Sequence, residues 1–203
     1  MCDWYKLIIY IIIVFSNSVY ALAAPFLPVV FSEMNMSGGW VGLIFAMYSI
    51  SMIIVSPFIG VIVDKVGQTN LLAVGLVAMG MSIVLLGYMS DIESESVVIA
   101  CSLFLRAVQG AASATINTSC YTLAANKYPS ETEFMVGMLE GVSGIGLIAG
   151  FMGGSYLGKS LGFKTTYRVF GGLLPIIGLL TRIAFKIIET EEERNEHIKH
   201  PLI

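Results

Sequence analysis

Read by the alternation of apolar and polar stretches, the chain divides into six apolar runs at about 7–31, 40–63, 71–90, 97–125, 133–158 and 165–188, separated by short polar interruptions. Runs of about 20 residues match the roughly 30 Å hydrocarbon layer of a bilayer. Backbone N–H and C=O groups in lipid must be paired within the protein, so each run is expected to be a helix. The loops are too short to hold separate domains, and the pattern predicts an all-α membrane protein with one six-helix transmembrane bundle over 1–188. Composition excludes the main alternative. Of 203 residues, 56% are hydrophobic and 12% charged, and the mean hydropathy of +0.83 leaves too much apolar surface for one water-soluble core. The formal charge of −3 carries little information, because most acids fall in loops and in the segment after 188.

The first run also has features of a cleavable leader: Lys6, the apolar stretch Leu7–Phe15 and the small-residue sequence Ala21-Leu22-Ala23. The apolar run continues through Pro25-Phe26-Leu27-Pro28-Val29-Val30-Phe31, and cleavage would strand half a span, so a first membrane helix is the preferred reading. Basic loop residues set orientation. Lys6, Lys65, Lys127, Arg182, Lys186, Arg194 and Lys199 fall on one side, and only Lys159, Lys164 and Arg168 on the other, where Glu33, Asp91, Glu93 and Glu95 also lie. Both termini are therefore expected in the cytoplasm. The stretch 189–203 is acidic and polar, and is expected to be a disordered cytoplasmic tail. His197 and His200 lie in it as solvated residues. Cys2, Cys101 and Cys120 are scattered, without a C-x-x-C pair, and are read as small apolar filler. No grouping of His, Cys and acids has metal-binding or catalytic spacing, so no metal, cofactor, enzymatic activity or nucleic-acid partner is expected.

The most informative polar interruption is Gly60-Val61-Ile62-Val63-Asp64-Lys65-Val66-Gly67. Gly60 and Asp64, one turn apart, share a helix face with Ser56. A small residue there admits a close neighbour, Asp64 suits the positive end of another helix, and Gly67 permits a tight reversal. The segment reads equally as a gate or as a plain charged turn.

On the fourth run Arg106 lies about nine residues, roughly 13 Å, inside its helix. Arg106, Gln109, Ser113, Asn117 and Tyr121, with Cys120, follow three- and four-residue steps and form one stripe. A buried cation in a membrane segment normally faces a cavity or partner. A snorkelling arginine over packing residues is the competing reading. The fifth run holds Gly146, Gly150, Gly154 and Gly158 at four-residue spacing, a close-packing face. Gly153 through Ser160 spells the phosphate-loop pattern G-x-x-x-x-G-K-S, but that loop requires a strand before it and a helix after it, and here the segment lies in a membrane span, so the reading does not fit. Glu140, one turn before Gly144, is a candidate proton carrier or ion-pair partner, or else a solvated residue near a helix end. In the first run, Ser16, Asn17, Ser18 and Tyr20 lie near mid-membrane, and Pro25 and Pro28 are expected to bend its outer half. Tyr48 and Ser49 on the second run fit solute binding or packing equally.

Taken together, these residues resemble the major facilitator superfamily, with nearly all of 7–188 corresponding to its N-terminal six-helix half. Gly60 through Gly67 is similar to the pattern G-x-x-x-D-[RK]-x-G between its second and third helices. Arg106, Gln109 and Gly110 are similar to R-x-x-Q-G on its fourth. The glycines of the fifth run resemble its antiporter pattern G-x-x-x-G-P-x-x-G-G, departing at Phe151, where proline is expected, and at Ser155. Ala24-Pro25-Phe26-Leu27-Pro28, Ser56-Pro57-Phe58-Ile59-Gly60 and Leu139-Glu140-Gly141 look most like the vesicular amine/polyamine transporter relatives of the drug–proton antiporter group. In those carriers an acid is usual on the first helix, and here Asn17 is the nearest polar residue.

The resemblance implies a secondary transporter, or its N-terminal half, moving a small organic solute by proton-coupled alternating access, with a lean toward a cationic amine. Gly60, Asp64, Lys65 and Gly67 would form the gate. Arg106, Gln109, Gly110, Ser113, Asn117, Tyr121, Asn17 and Tyr48 would line the cavity, and Glu140 would couple protons. Family members commonly have twelve helices, with solute between two halves, and Asp64 would address a helix of the second half. The partners implied are a small solute, protons, the lipid bilayer, and a second six-helix half or a second copy. Because the acidic tail resembles the start of a central cytoplasmic loop, a fragment or truncated product is favoured over a self-sufficient half. The alternative is a non-transporting membrane protein that pairs with or regulates a full-length relative.

Overall fold

A computed structural model describes residues 4–199 apart from Asn35 and Glu93, without the side chains of Ser90, Glu189 and 191–199. Cys2, Glu93 and His200 lie outside the described residues. The regular elements are α-helices α1 (Trp4–Leu22), α2 (Leu27–Glu33), α3 (Gly38–Val66), α4 (Gln68–Leu86), α5 (Glu95–Lys127), α6 (Thr132–Leu161) and α7 (Phe163–Lys199), with short 3₁₀ turns at Met89–Asp91 and Pro129–Glu131. Six spans are long and apolar enough to cross a bilayer, the first combining α1 and α2. Among the described residues there is no strand.

Two details differ from the sequence expectation. The first span is broken rather than bent: residues 23–26 form turns between α1 and α2. Pro25 and Pro28 each lack the N–H that would continue the helical ladder, and Pro28 sits in the first turn of α2, where that loss is harmless. At the other end, α7 continues as helix to Lys199 through the stretch expected to be disordered. From Glu189 to Lys199 the sequence has neither Gly nor Pro, and Glu, Arg and Lys are good helix formers, so nothing local stops a helix already nucleated in the sixth span.

The spans associate in pairs: α1 against α6, α3 against α5, and α4 against both α7 and α5. Lipid tails are as apolar as leucine, so association depends on close packing. At each contact a glycine removes the side chain that would hold the backbones apart. A Cβ on Gly146 would fall 2.5 Å from the Val14 carbonyl oxygen, one on Gly150 2.0 Å from that of Ser18, and one on Gly154 3.3 Å from the Leu22 Cα. These three partners rise in step with the glycines, so α1 and α6 run parallel. Ser18 Oγ lies between the Val14 and Gly146 carbonyls at 2.7 and 2.9 Å. On α3–α5, a Cβ at Gly110 would lie 2.1 Å from the Tyr48 carbonyl oxygen, and Ser51 donates to the Ala107 carbonyl at 2.6 Å. On the antiparallel α4–α7 pair, Gly80 and Gly171 pack on one another. The core between them is aliphatic and aromatic, including Ile9, Ile13, Phe31, Ile44, Leu72, Leu76, Ile116, Leu139 and Phe185.

The helix ends are fastened by exposed charges. At the end holding the α5–α6 connection, Lys6 pairs with Glu131 at 2.9 Å and lies over the Tyr128 ring, while Lys127 lies over Tyr5. At the opposite end Lys164 pairs with Asp91 and Arg168 lies over Tyr88.

The packing separates two classes of glycine on α6. Gly150→Leu is expected to destabilise the detergent-solubilised bundle by roughly 3 kcal/mol or more, because the overpacked group meets backbone. Gly144→Ala, with open space at its Cβ, is expected to change stability by less than about 1 kcal/mol. Thermal unfolding followed by circular dichroism checks the contrast, and equal effects would contradict it.

Candidate functional site

The helix α5 carries the expected stripe. Its first half is buried: Arg106 and Gln109 are each 1% exposed, and Gly110 and Ser113 are also buried, while further along Cys120 is buried and Asn117 and Tyr121 are partly buried. Arg106 Nη1 donates to Gln109 Oε1 at 2.9 Å, a bond that one helical turn makes available. Tyr48 of α3 donates to Ser113 Oγ at 2.7 Å, and Asn117 Nδ2 reaches the same oxygen at 3.4 Å.

The guanidinium of Arg106 has aromatic neighbours. Its centre is 4.9 Å from the ring of Phe45, 5.6 Å from Tyr48 and 5.8 Å from Tyr20, and the Tyr20 and Tyr48 rings stack at 4.1 Å. A desolvated cation–π contact contributes about 2 kcal/mol, which offsets part of the cost of burying the charge. Among the described residues no carboxylate pairs with Arg106. Arg106 Nε and Gln109 Nε2 are buried without a hydrogen-bond partner.

This cluster opens on a cavity of about 410 Å³, bounded by Tyr20 and Ala24 of the first span, Phe45 of α3, Arg106 of α5, and Phe151 and Met152 of α6. That size is within the range of small-molecule pockets, which are mostly apolar with a few placed polar groups. Phe45, Phe151 and Met152 line this cavity without having been singled out from the sequence, since an apolar residue facing a cavity reads like one facing lipid. The available signal was spacing: Phe45 lies three residues before Tyr48 and so shares its face.

Other candidates lie elsewhere. Asn17 is half-buried and donates to the Ile13 carbonyl of its own helix at 2.9 Å. Gly110 sits at the α3–α5 crossing rather than on the cavity wall. Tyr121 and Glu140 meet across α5 and α6, the Tyr hydroxyl donating to Oε1 at 2.5 Å. Glu140 is otherwise exposed, eight residues past the start of α6, about 12 Å along its axis.

At the α3–α4 turn, Gly67 caps α3 with φ +93°, a conformation that side-chain-bearing residues rarely adopt, and its N–H bonds the Val63 carbonyl at 3.0 Å. Asp64 accepts from Gln68 Nε2 at 3.2 Å. Gly60, Asp64 and Lys65 are exposed, and Gly60 has open space where a Cβ would stand. The same holds for Gly137, Gly141 and Gly144 on α6. So α3 and α6 present small residues toward their uncovered sides, while Gly146, Gly150 and Gly154 serve the α1 contact.

A six-span bundle with a buried cation beside a mostly apolar cavity and small-residue helix faces fits the six-helix half of a major facilitator fold. The family model described as Major Facilitator Superfamily matches residues 7–202, and the chain belongs to that superfamily. Similar proteins include the human MFS-type transporter SLC18B1, 25% identical over 152 residues, covering 75% of this chain and 33% of the relative. The mouse protein of the same description is 24% identical over 158 residues, covering 78% and 34%. The multidrug resistance protein MdtG of Escherichia coli is 23% identical over 171 residues, covering 82% and 40%. The chain thus spans about a third to two fifths of these relatives.

Because Arg106 is buried with an unsatisfied donor, Arg106→Met is expected to leave the bundle as stable as the parent or more stable by about 1–2 kcal/mol. Denaturant unfolding in detergent measures this. A loss of several kcal/mol would show that Arg106 is structural cement rather than a group held for a ligand.

Proposed function

We propose that this chain is one half of a secondary transporter that moves a small organic solute by alternating access, coupled to protons, with both termini in the cytoplasm. The observation that carries the reading is the buried Arg106 on the wall of the 410 Å³ cavity. Burying a cation inside a membrane span is expensive and marks a transport path by default. The superfamily's members bind solute between two halves related by an axis along the membrane normal, and the relatives' descriptions as a transporter and a multidrug resistance protein agree with that class of work.

In this reading Arg106, Gln109, Ser113, Asn117 and Tyr48 form the polar side of the solute path. The exposed Asp64 and Lys65, held on a turn that Gly67 makes possible, act on the inward gate by engaging a helix end across the interface. Glu140 is the coupling carboxylate. It lies within an apolar span, it faces outward from the bundle, and its one described partner is the Tyr121 hydroxyl. That arrangement leaves an oxygen free to take a proton. The excess of Lys and Arg on the Lys6, Lys65 and Lys127 side supports the cytoplasmic termini.

The open glycines of α3 and α6 favour pairing with a second six-helix half or a second copy, since small residues are what close helix contacts in lipid require. The same faces support a second reading, a non-transporting chain that pairs with or regulates a full-length relative. Co-purification with such a relative, with no flux in its absence, would select that reading.

In proteoliposomes containing this chain with a complementary half, solute flux is expected to respond to an imposed pH gradient. Arg106→Ala is expected to lower flux by roughly tenfold or more, the equivalent of about 1.4 kcal/mol. Glu140→Gln is expected to leave downhill exchange intact and remove the response to the gradient. Flux unaffected by either substitution would contradict the assignment.

A further inference from the structure

Within the transport reading above, on which it rests, we infer that the cavity beside Arg106 takes the carboxylate of a small amphipathic anion, with its apolar body against Phe45, Phe151 and Met152. The argument is a balance of donors and acceptors. Arginine brings five N–H donors and no acceptor, and glutamine brings one acceptor and two donors. Of the two lone pairs on the Gln109 carbonyl oxygen, one is taken by Arg106 Nη1, which leaves far fewer acceptor sites than donors. The nearby Ser113 oxygen receives both Tyr48 and Asn117. Arg106 Nε and Gln109 Nε2 remain buried without partners. The cluster therefore has surplus donors and a full positive charge, and among the described residues no carboxylate pairs with it.

A ligand that completes this site must bring acceptors and negative charge. Two oxygens on a planar group match the fork of a guanidinium, and buried polar groups are rarely left unmade. The remaining wall is apolar and aromatic, so the rest of the ligand is a hydrocarbon or aryl body. A cationic amine meets the opposite situation. The ring faces of Phe45, Tyr20 and Tyr48 that would receive an ammonium are already turned to Arg106, whose charge would repel it. The lean toward a cationic solute that the resemblance brings is thus opposed by the cavity itself.

The test uses the full chain in phosphatidylcholine nanodiscs and three radiolabelled probes of one shape: 3-phenylpropionate, 3-phenylpropylamine and 3-phenylpropanol. Equilibrium dialysis is expected to show the propionate binding at least tenfold more tightly than the other two. Arg106→Gln is expected to reduce it to the level of the alcohol. Gln109→Glu supplies a carboxylate from within and is expected to abolish propionate binding while the chain stays folded by circular dichroism, which separates loss of the site from loss of the fold. Tighter binding of the amine, or propionate binding indifferent to both substitutions, overturns the inference. Amine binding accompanied by amine flux would leave the transport reading standing while the anion fails; no binding and no flux for all three would remove both. A facing bundle is the other source of a carboxylate. If assembly with a complementary half eliminates propionate binding, and Arg106→Gln weakens that assembly instead, the carboxylate belongs to the partner chain and the solute assignment is wrong.

Discussion

Everything in this bundle depends on backbones lying almost in contact. In water a helix pair gains by hiding apolar surface, but in a bilayer the lipid offers the same apolar surroundings, and only closer packing and hydrogen bonds favour protein over lipid. Gly150 against the Ser18 carbonyl, Gly110 against the Tyr48 carbonyl and Gly80 against Gly171 are where that closeness is achieved. The α3–α5 contact fixes the aromatic ring set around Arg106, because Tyr48 is at once the residue whose carbonyl Gly110 touches and the residue whose ring faces the guanidinium. Packing and site are therefore one arrangement: a side chain at position 110 would displace the wall of the charge's own enclosure.

The pairing also has an internal order. The first span packs on the fifth, the second on the fourth and the third on the sixth. Exchanging the first three spans for the last three returns these three pairs, each span exchanging with one running the opposite way, while the further contact of the third span on the fourth has no equally close counterpart between the sixth and the first. This is the inverted three-plus-three repeat nested in each half of the superfamily fold. It explains why the spans that are left open, α3 and α6, are equivalent positions in the two repeats, and why each carries glycines with no neighbour.

Much of this was legible beforehand, because a membrane imposes simple rules on a sequence. Length and hydropathy identified six spans, and the three- and four-residue steps from Arg106 through Ser113 follow buried positions, with Asn117 and Tyr121 only partly buried further along. Periodicity fails where two faces of one helix share a composition. On α6, Gly146, Gly150 and Gly154 are packed against α1 and Gly158 against the Phe26 ring, whereas Gly137, Gly141, Gly144 and Gly153 have open space where a Cβ would stand, yet both sets step along the helix similarly. The cavity wall was hidden for a related reason, since Phe151 and Met152 have the apolar character that lipid contact also demands. The break at residues 23–26 was foreshadowed by Pro25 and Pro28 as a bend; whether missing hydrogen bonds curve a helix or end it depends on how the following turn packs, and here Leu27 and Phe31 of α2 are buried.

The parallel contact between α1 and α6 has a regularity with its own consequence. Val14, Ser18 and Leu22 of α1 face Gly146, Gly150 and Gly154, so both sides advance by four residues, about 6 Å of axial rise. Such a contact resembles a rack with evenly cut teeth: displacement by one tooth sets glycine against backbone again at most rungs. The repeated rungs grip without choosing an alignment. The choice falls to the features that occur once, namely Ser18 Oγ at the Gly146 carbonyl, the Phe26 ring over Gly158, and the Lys6–Glu131 pair at the far end. A few singular contacts act as the detents that index an otherwise degenerate ladder.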